Sequence, residues 1–196
     1  MSAKIIGLTG GIGTGKTTIA KVFECLDVPV YFSDDRAKEL YLLPELKARI
    51  ISLLGNGAYN DSGSLNREFI SSQVFVDSVK LEKLNAIIHP AVKEDFKSWQ
   101  SKYFKKNFVI KESALLFETG LYKECDHTIL VTSPMELRIN RIQQRDQKGR
   151  EEVMRRINAQ WPEEKKIPLC SFLIRNDEMD SVIEQVLAIY KELIKG

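Results

Sequence analysis

The chemistry of this chain is concentrated first in Gly10-Gly11-Ile12-Gly13-Thr14-Gly15-Lys16-Thr17-Thr18, which fits the pattern G-x-x-x-x-G-K-[ST]. Each part has a physical task. The glycines let backbone N–H groups turn inward around phosphate oxygens. Lys16 supplies a positive charge for the β and γ phosphates, and the Thr17 hydroxyl is an oxygen donor suited to Mg²⁺. Lys4-Ile5-Ile6-Gly7-Leu8-Thr9 before the loop reads as a strand. The residues after it read as a helix whose positive N-terminal end faces the same anions. A nucleoside triphosphate is the expected ligand; the loop alone does not say what the nucleotide is used for.

Phosphoryl transfer needs further groups: an acceptor-side carboxylate and cations over the moving phosphoryl. Asp34, just past the second predicted strand, is the best-placed carboxylate, as base or as a water-mediated Mg²⁺ contact. The plainer alternative is a helix cap. Arg138, Arg141 and Arg145 recur at i, i+3 and i+7 on a predicted helix over 134–147, with Arg150, Arg155 and Arg156 beyond. Such guanidinium groups clamp phosphate oxygens. Their alternative is a solvated basic face paired with Glu136, Glu151 and Glu152.

Five strands and their helices must position these groups. Apolar runs predict strands at Lys4–Thr9, Val28–Phe32, Phe108–Ile110, Thr128–Val131 and Ser171–Ile174. Helical spacing predicts helices over 16–26, from near Arg36, from Pro44 through Leu54, over 67–99 and over 134–147. Pro90 is expected to kink or restart the long one. A last helix carries Ile183, Val186, Leu187, Tyr190 and Ile194 on one face. Alternating strands and helices imply α/β class, a five-stranded parallel sheet with helices on both faces. The chain reads as one domain over 1–196. Within it, 36–99 is an inserted helical region for a second substrate, and the charged segment 145–166 is a mobile lid.

Composition removes several classes of function. The chain has 196 residues, 43% hydrophobic, with a net charge of +2, so neither a nucleic acid nor a membrane surface is an expected partner. The three cysteines are scattered without a metal-binding spacing. They are read as inert core residues of a cytoplasmic protein. Met1-Ser2-Ala3-Lys4 shows no signal-peptide pattern, and no apolar stretch is long enough for a bilayer. A monomer or weak homo-oligomer is expected. An Asn-Lys-x-Asp guanine reader and a Leu-Ser-Gly-Gly-Gln transporter signature are both absent. That leaves a small-molecule kinase, with a nucleotide-dependent regulatory protein as the alternative from another class.

Motifs along the whole length narrow the reading. They are Gly7-Leu8-Thr9-Gly10-Gly11-Ile12-Gly13-Thr14-Gly15-Lys16-Thr17, Ser33-Asp34-x-x-Ala37, Leu65-Asn66-Arg67, His89-Pro90 and Leu115-Leu116-Phe117-Glu118, then Arg141-x-x-x-Arg145-Asp146, Arg156-Ile157-x-x-Gln160 and Ile174-x-Asn176. In these the chain resembles the dephospho-coenzyme A kinases. The resemblance implies a three-layer α/β/α P-loop kinase core. It implies ATP-dependent phosphorylation of the ribose 3′-hydroxyl of dephospho-CoA, the final step of coenzyme A biosynthesis, with Mg²⁺ accompanying ATP. It assigns Asp34 as base, with Lys16, Arg141 and Arg145 at the phosphates. Gly11, Gly13, Thr14, Gly15, Lys16, Thr17, Thr18 and Asn176 would bind ATP, Asn176 near the adenine, and Thr17 would hold the metal. Arg67, His89, Leu116 and Glu118 would lie on the acceptor side. The chain departs from the family pattern at Phe32, Glu112 and Ala114. Phe32 leaves Asp34 as the motif's one candidate base.

The weaker members have simpler readings. His89 would cap a restarted helix, Arg67 would be a surface residue at a helix start, and Glu118 would pair with Lys123. Trp99 and Trp161 would be packing residues. A kinase for another small acceptor remains open here.

Overall fold

Ile5-Ile6-Gly7-Leu8, Phe108-Val109-Ile110 and Ile129-Leu130-Val131 are apolar at successive positions, so both their faces must be covered. In the computed structural model, which describes residues 2–195, these runs form a parallel sheet. Met1 and Gly196, the ends of the domain expected over 1–196, lie outside the described residues. The strands are β1 (Lys4–Gly10), β2 (Val30–Phe32), β3 (Phe108–Glu112), β4 (His127–Thr132) and β5 (Phe172–Arg175), ordered β2-β3-β1-β4-β5. All pairings are parallel. The helices are α1 (Lys16–Cys25), α2 (Ser33–Leu40), α3 (Pro44–Leu54), α4 (Arg67–Phe75), α5 (Ser78–Ser101), α6 (Met135–Asp146), α7 (Arg150–Asn158), α8 (Glu163–Lys166) and α9 (Val182–Lys195).

The chain divides into two compact units, one running to Phe32 and resuming at Lys102, the other Ser33–Ser101. In the sheet unit, Ile19 and Phe23 of α1 and Val186, Ile189 and Leu193 of α9 bury one face against Ile6, Leu8, Ile110, Ile129 and Val131. The buried stripe of α9 differs from the expected one: Ile183 and Ile194 are exposed, while Ile189 and Leu193 are buried. The opposite face is covered over Gly7, where an added Cβ would lie 2.6 Å from Leu116 and 2.9 Å from the Cys125 sulfur. A separate cluster of Ile139, Ile142, Val153 and Ile157 joins α6 to α7.

The helical unit has its own core of Ile50, Leu54, Ala58, Ile70, Leu84 and Ile88. Arg36 and Asp95 tie α2 to α5 through two parallel contacts of 3.0 and 2.6 Å, a fork geometry that fixes register as well as charge. The helix expected over 67–99 is broken. The α4 helix stops at Phe75, and Asp77 restarts the chain by accepting the Lys80 N–H at 3.0 Å. The α5 helix runs unbroken through Pro90. Pro90 is exposed, and the packed stripe Leu84, Ile88 and Phe96 holds the helix past the missing hydrogen bond. Leu81, expected on that stripe, is 41% exposed.

Candidate active site

The phosphate loop spans the end of β1 and the start of α1, and its shape rests on glycine where φ is positive. Gly13 and Gly15 have φ of 83° and 90°, values that side-chain-bearing residues rarely adopt. A Cβ on Gly15 would also sit 2.3 Å from Asn176 Nδ2, which donates to the Thr14 carbonyl at 2.9 Å. Thr14 is buried, and both its N–H (3.2 Å) and its hydroxyl (2.8 Å) donate to the Gly11 carbonyl. Its side chain therefore braces the loop on which ATP is expected. Lys16 Nζ donates to the Gly10 carbonyl at 2.9 Å and lies 3.4 Å from that of Gly11. The ammonium thus rests on the loop it serves.

A cleft of about 350 Å³ opens on this loop, lined by Gly13, Gly15, Lys16, Thr17, Thr18, Arg141 and Arg145 among others. Arg141 is oriented by the Ser133 hydroxyl at 3.1 Å and by Glu178 at 2.9 Å. Arg145 forms a two-bond pair with Asp146 (2.6 and 3.1 Å), which also accepts from Arg156 at 2.5 Å. The guanidinium groups of Arg145 and Arg156 hold the Asp146 carboxyl far below the usual carboxylate range. Arg150 pairs with Glu136 in solvent, so there the plainer reading holds.

Arg138 departs from the expected phosphate-facing stripe. It is buried, its Nε donates to the Ile12 carbonyl at 3.0 Å, and its Nη1 lies 3.1 Å from Glu163. Burial lowers its pKa, opposed by the Glu163 charge, while burial pushes the Glu163 carboxyl up. A second cavity, about 660 Å³, lies against Arg138, Trp161, Pro162 and Glu163. Trp161 is 41% exposed there, so it is not a core residue, whereas Trp99 stacks on Phe96 with ring centres 6.0 Å apart.

Other expected site residues fall in distinct places. Asp34 is exposed in the first turn of α2, two positions past the end of β2. The helix starts at Ser33, earlier than the start expected near Arg36, so Asp34 belongs to its first turn. Glu112 ends β3 and is buried, paired in register with Leu8 and Phe32. Leu116 is fully buried under Gly7. In this structure it packs against the sheet.

Glu118 does not pair with Lys123. Its Oε1 accepts the Trp161 N–H at 3.1 Å and lies 2.7 Å from the ammonium of fully buried Lys166. That ion contact falls short of hydrogen-bond geometry, and the buried Glu118 Oε2 has no hydrogen-bond partner. Arg67 is exposed at the start of α4, where Asn66 supplies the cap by accepting the Phe69 N–H at 3.1 Å. His89 is exposed in the middle of α5, so it caps nothing. Sequence reasoning missed Asn66 as cap and the Glu118–Lys166 pair. The first had a signal, an Asn before a helical run; the second, spanning two distant segments, had none.

A strand-to-helix phosphate loop, arginines on its cleft and a helical unit between β2 and β3 are the parts of a small-molecule kinase. Comparison with known proteins agrees. The dephospho-CoA kinase family model matches residues 4–181. A dephospho-CoA kinase of Bacteroides fragilis is 36% identical over 94% of this chain and 90% of its own. A crystal structure from Thermus thermophilus superposes with a TM-score of 0.86 at 30% identity, covering 100% of this chain and 98% of the other. The dephospho-CoA kinase of Campylobacter jejuni shares the fold, with a TM-score of 0.71 at 23% identity over 98% of both chains. With its motifs in order and its match running nearly end to end, this chain belongs to the dephospho-CoA kinase family.

Proposed function

We propose that the chain transfers the γ-phosphoryl group of ATP to the ribose 3′-hydroxyl of dephospho-CoA, releasing ADP and coenzyme A. The family match over residues 4–181 carries this reading and displaces the regulatory and other-acceptor alternatives. The phosphate loop and its arginine-lined cleft support it. ATP lies with its phosphates on Gly11, Gly13, Gly15, Lys16, Thr17 and Thr18, where Lys16 exchanges its loop carbonyls for β and γ oxygens. Arg141 and Arg145 neutralise charge as the phosphoryl moves. Asp34 accepts the proton of the 3′-hydroxyl. The base assignment rests on the motif and on its place just after β2, beside which the parallel strands end.

Thr17 is exposed on the cleft in the first turn of α1, and its hydroxyl is the hard oxygen donor that Mg²⁺ takes. Among the described residues no cluster of three or more His, Cys, Asp or Glu forms a cage for a metal, which suits an ion that arrives on the nucleotide. Held by Thr17 and the nucleotide, Mg²⁺ would supply positive charge that offsets the charge on the phosphates.

Arg67, His89 and Glu118 complete the acceptor side in this reading, Glu118 through its unpartnered Oε2. The lid is 145–166 in this reading, its C-terminal part anchored by the contacts of Gln160, Trp161, Glu163 and Lys166. Closure there excludes water, which otherwise takes the phosphoryl group. A cytoplasmic setting suits the three free cysteines. Purified protein with Mg-ATP and dephospho-CoA should yield coenzyme A by mass. Asp34→Asn should lower kcat roughly 10²–10⁴-fold with ATP affinity kept. No coenzyme A from the wild-type protein would reject the acceptor, and an Asp34→Asn variant working at full rate would remove the base.

A further inference from the structure

Ile12, the tip of the phosphate loop, is held from outside by both groups of its backbone. Its N–H donates to Gln160 Oε1 at 2.7 Å, and its carbonyl accepts from Arg138 Nε at 3.0 Å. Arg138 is itself fixed by Glu163 at 3.1 Å. The guanidinium lies directly over Gly11, so that a Cβ there would sit 2.4 Å from Nη2, and the Arg138 carbonyl would be 2.8 Å from a Cβ on Gly13. The Ile12 side chain adds a third hold, packing on the Ile139, Ile142, Val153 and Ile157 cluster. Arg138 stands on α6 before the lid segment, and Gln160 and Glu163 lie at its C-terminal end, after α7. Both roots of the lid thus end on one residue of the phosphate loop.

A loop this rich in glycine has many conformations to lose, and losing them on binding weakens affinity. A loop whose tip is already fixed loses few. We propose that Gln160 and Arg138, with Glu163 holding the arginine, are positioning residues that set the phosphate loop in its nucleotide-binding shape before ATP arrives and tie that shape to the lid. Arg138 does not line the phosphate-loop cleft and does its work through the Ile12 peptide. This explains a buried cation on a helix whose later arginines face the cleft.

Gln160→Met tests the arrangement, because it keeps the length of the side chain and removes the oxygen acceptor. Hydrogen exchange of the loop amides in nucleotide-free enzyme should speed up at Ile12. KM for ATP should rise about tenfold, the scale of one hydrogen bond lost with its donor stranded. KM for the acceptor and kcat at saturating ATP should stay within about twofold, since bound nucleotide restores the loop. Gln160→Glu, which keeps an acceptor oxygen, should restore protection of the Ile12 amide. Arg138→Lys retains a charge for Glu163 but loses the Nε bond, and should raise KM for ATP in the same way, so it carries the test if the first variant does not fold. Unchanged ATP KM with unchanged exchange would overturn the assignment. So would a parallel rise in both KM values, which marks general loosening, or a Gln160→Glu variant as unprotected as Gln160→Met.

Discussion

Lys16, Gly15 and Asn176 show how single residues divide the work at the loop: one carries charge, one permits the turn, and one braces it from 162 positions away along the chain, by its Nδ2 bond to the Thr14 carbonyl. Similar division applies to the cysteines, which do not share the inert core placement expected of them. Cys25 is exposed, while Cys125 is half-buried and burial pushes its thiol up to about 11. At pH 8 its thiolate is then about a thousandfold scarcer than its thiol, and the thiolate is what reacts. Iodoacetamide at that pH should label Cys25 in the folded protein and reach Cys125 only after denaturation, as peptide mass mapping would show. Equal labelling of both would contradict the burial described. The loop residues were legible because their roles are set by backbone geometry at fixed spacing. The packing of Thr14, Leu116 and Arg138 was not, because the direction of each side chain depends on a neighbour supplied by tertiary structure.

Elements were legible where their pattern was local. All five strands could be read, since each is a short apolar run, but the break between α4 and α5 escapes the periodicity although Asp77 marks it as a cap. The lid flank offers an electrostatic prediction at this scale. Asp146 joins the end of α6 to α7 through Arg145 and Arg156. Its folded carboxyl lies below the ordinary value near 3.9. A depressed carboxylate stabilises the fold above its unfolded pKa and loses that contribution as pH falls through the folded one. The arginines are largely exposed, so the effect is small and salt-sensitive. The difference in Tm between wild type and Asp146→Asn should be flat from pH 8 to about 5 and shrink as pH drops below about 4. A difference that widens in acid would show that the pair opposes folding.

At the scale of the whole molecule, the sheet unit and the helical unit each possess a core, and the two are unequal. The sheet core joins strands to α1 and α9 around residues with no exposure, such as Ile6, Leu8, Ile129 and Val131, whereas several positions of the helical core keep partial exposure. Local openings follow such differences. Amides of α3 and α5 should therefore exchange through openings of lower free energy than those of β1 and β4, measured by native-state hydrogen exchange under increasing denaturant. Identical opening energies would mean that the units unfold as one. The insertion itself was legible as a helical stretch too long for a crossover; its boundaries at Ser33 and Ser101 depended on where α2 and α5 start and stop. The packing over the phosphate loop also couples positions 11 and 138. Gly11 is not among the residues with positive φ, so what bars a methyl group there is the guanidinium of Arg138. An alanine at position 11 would therefore have to displace that guanidinium from its place over the loop, and a shorter side chain at position 138 would make room for it.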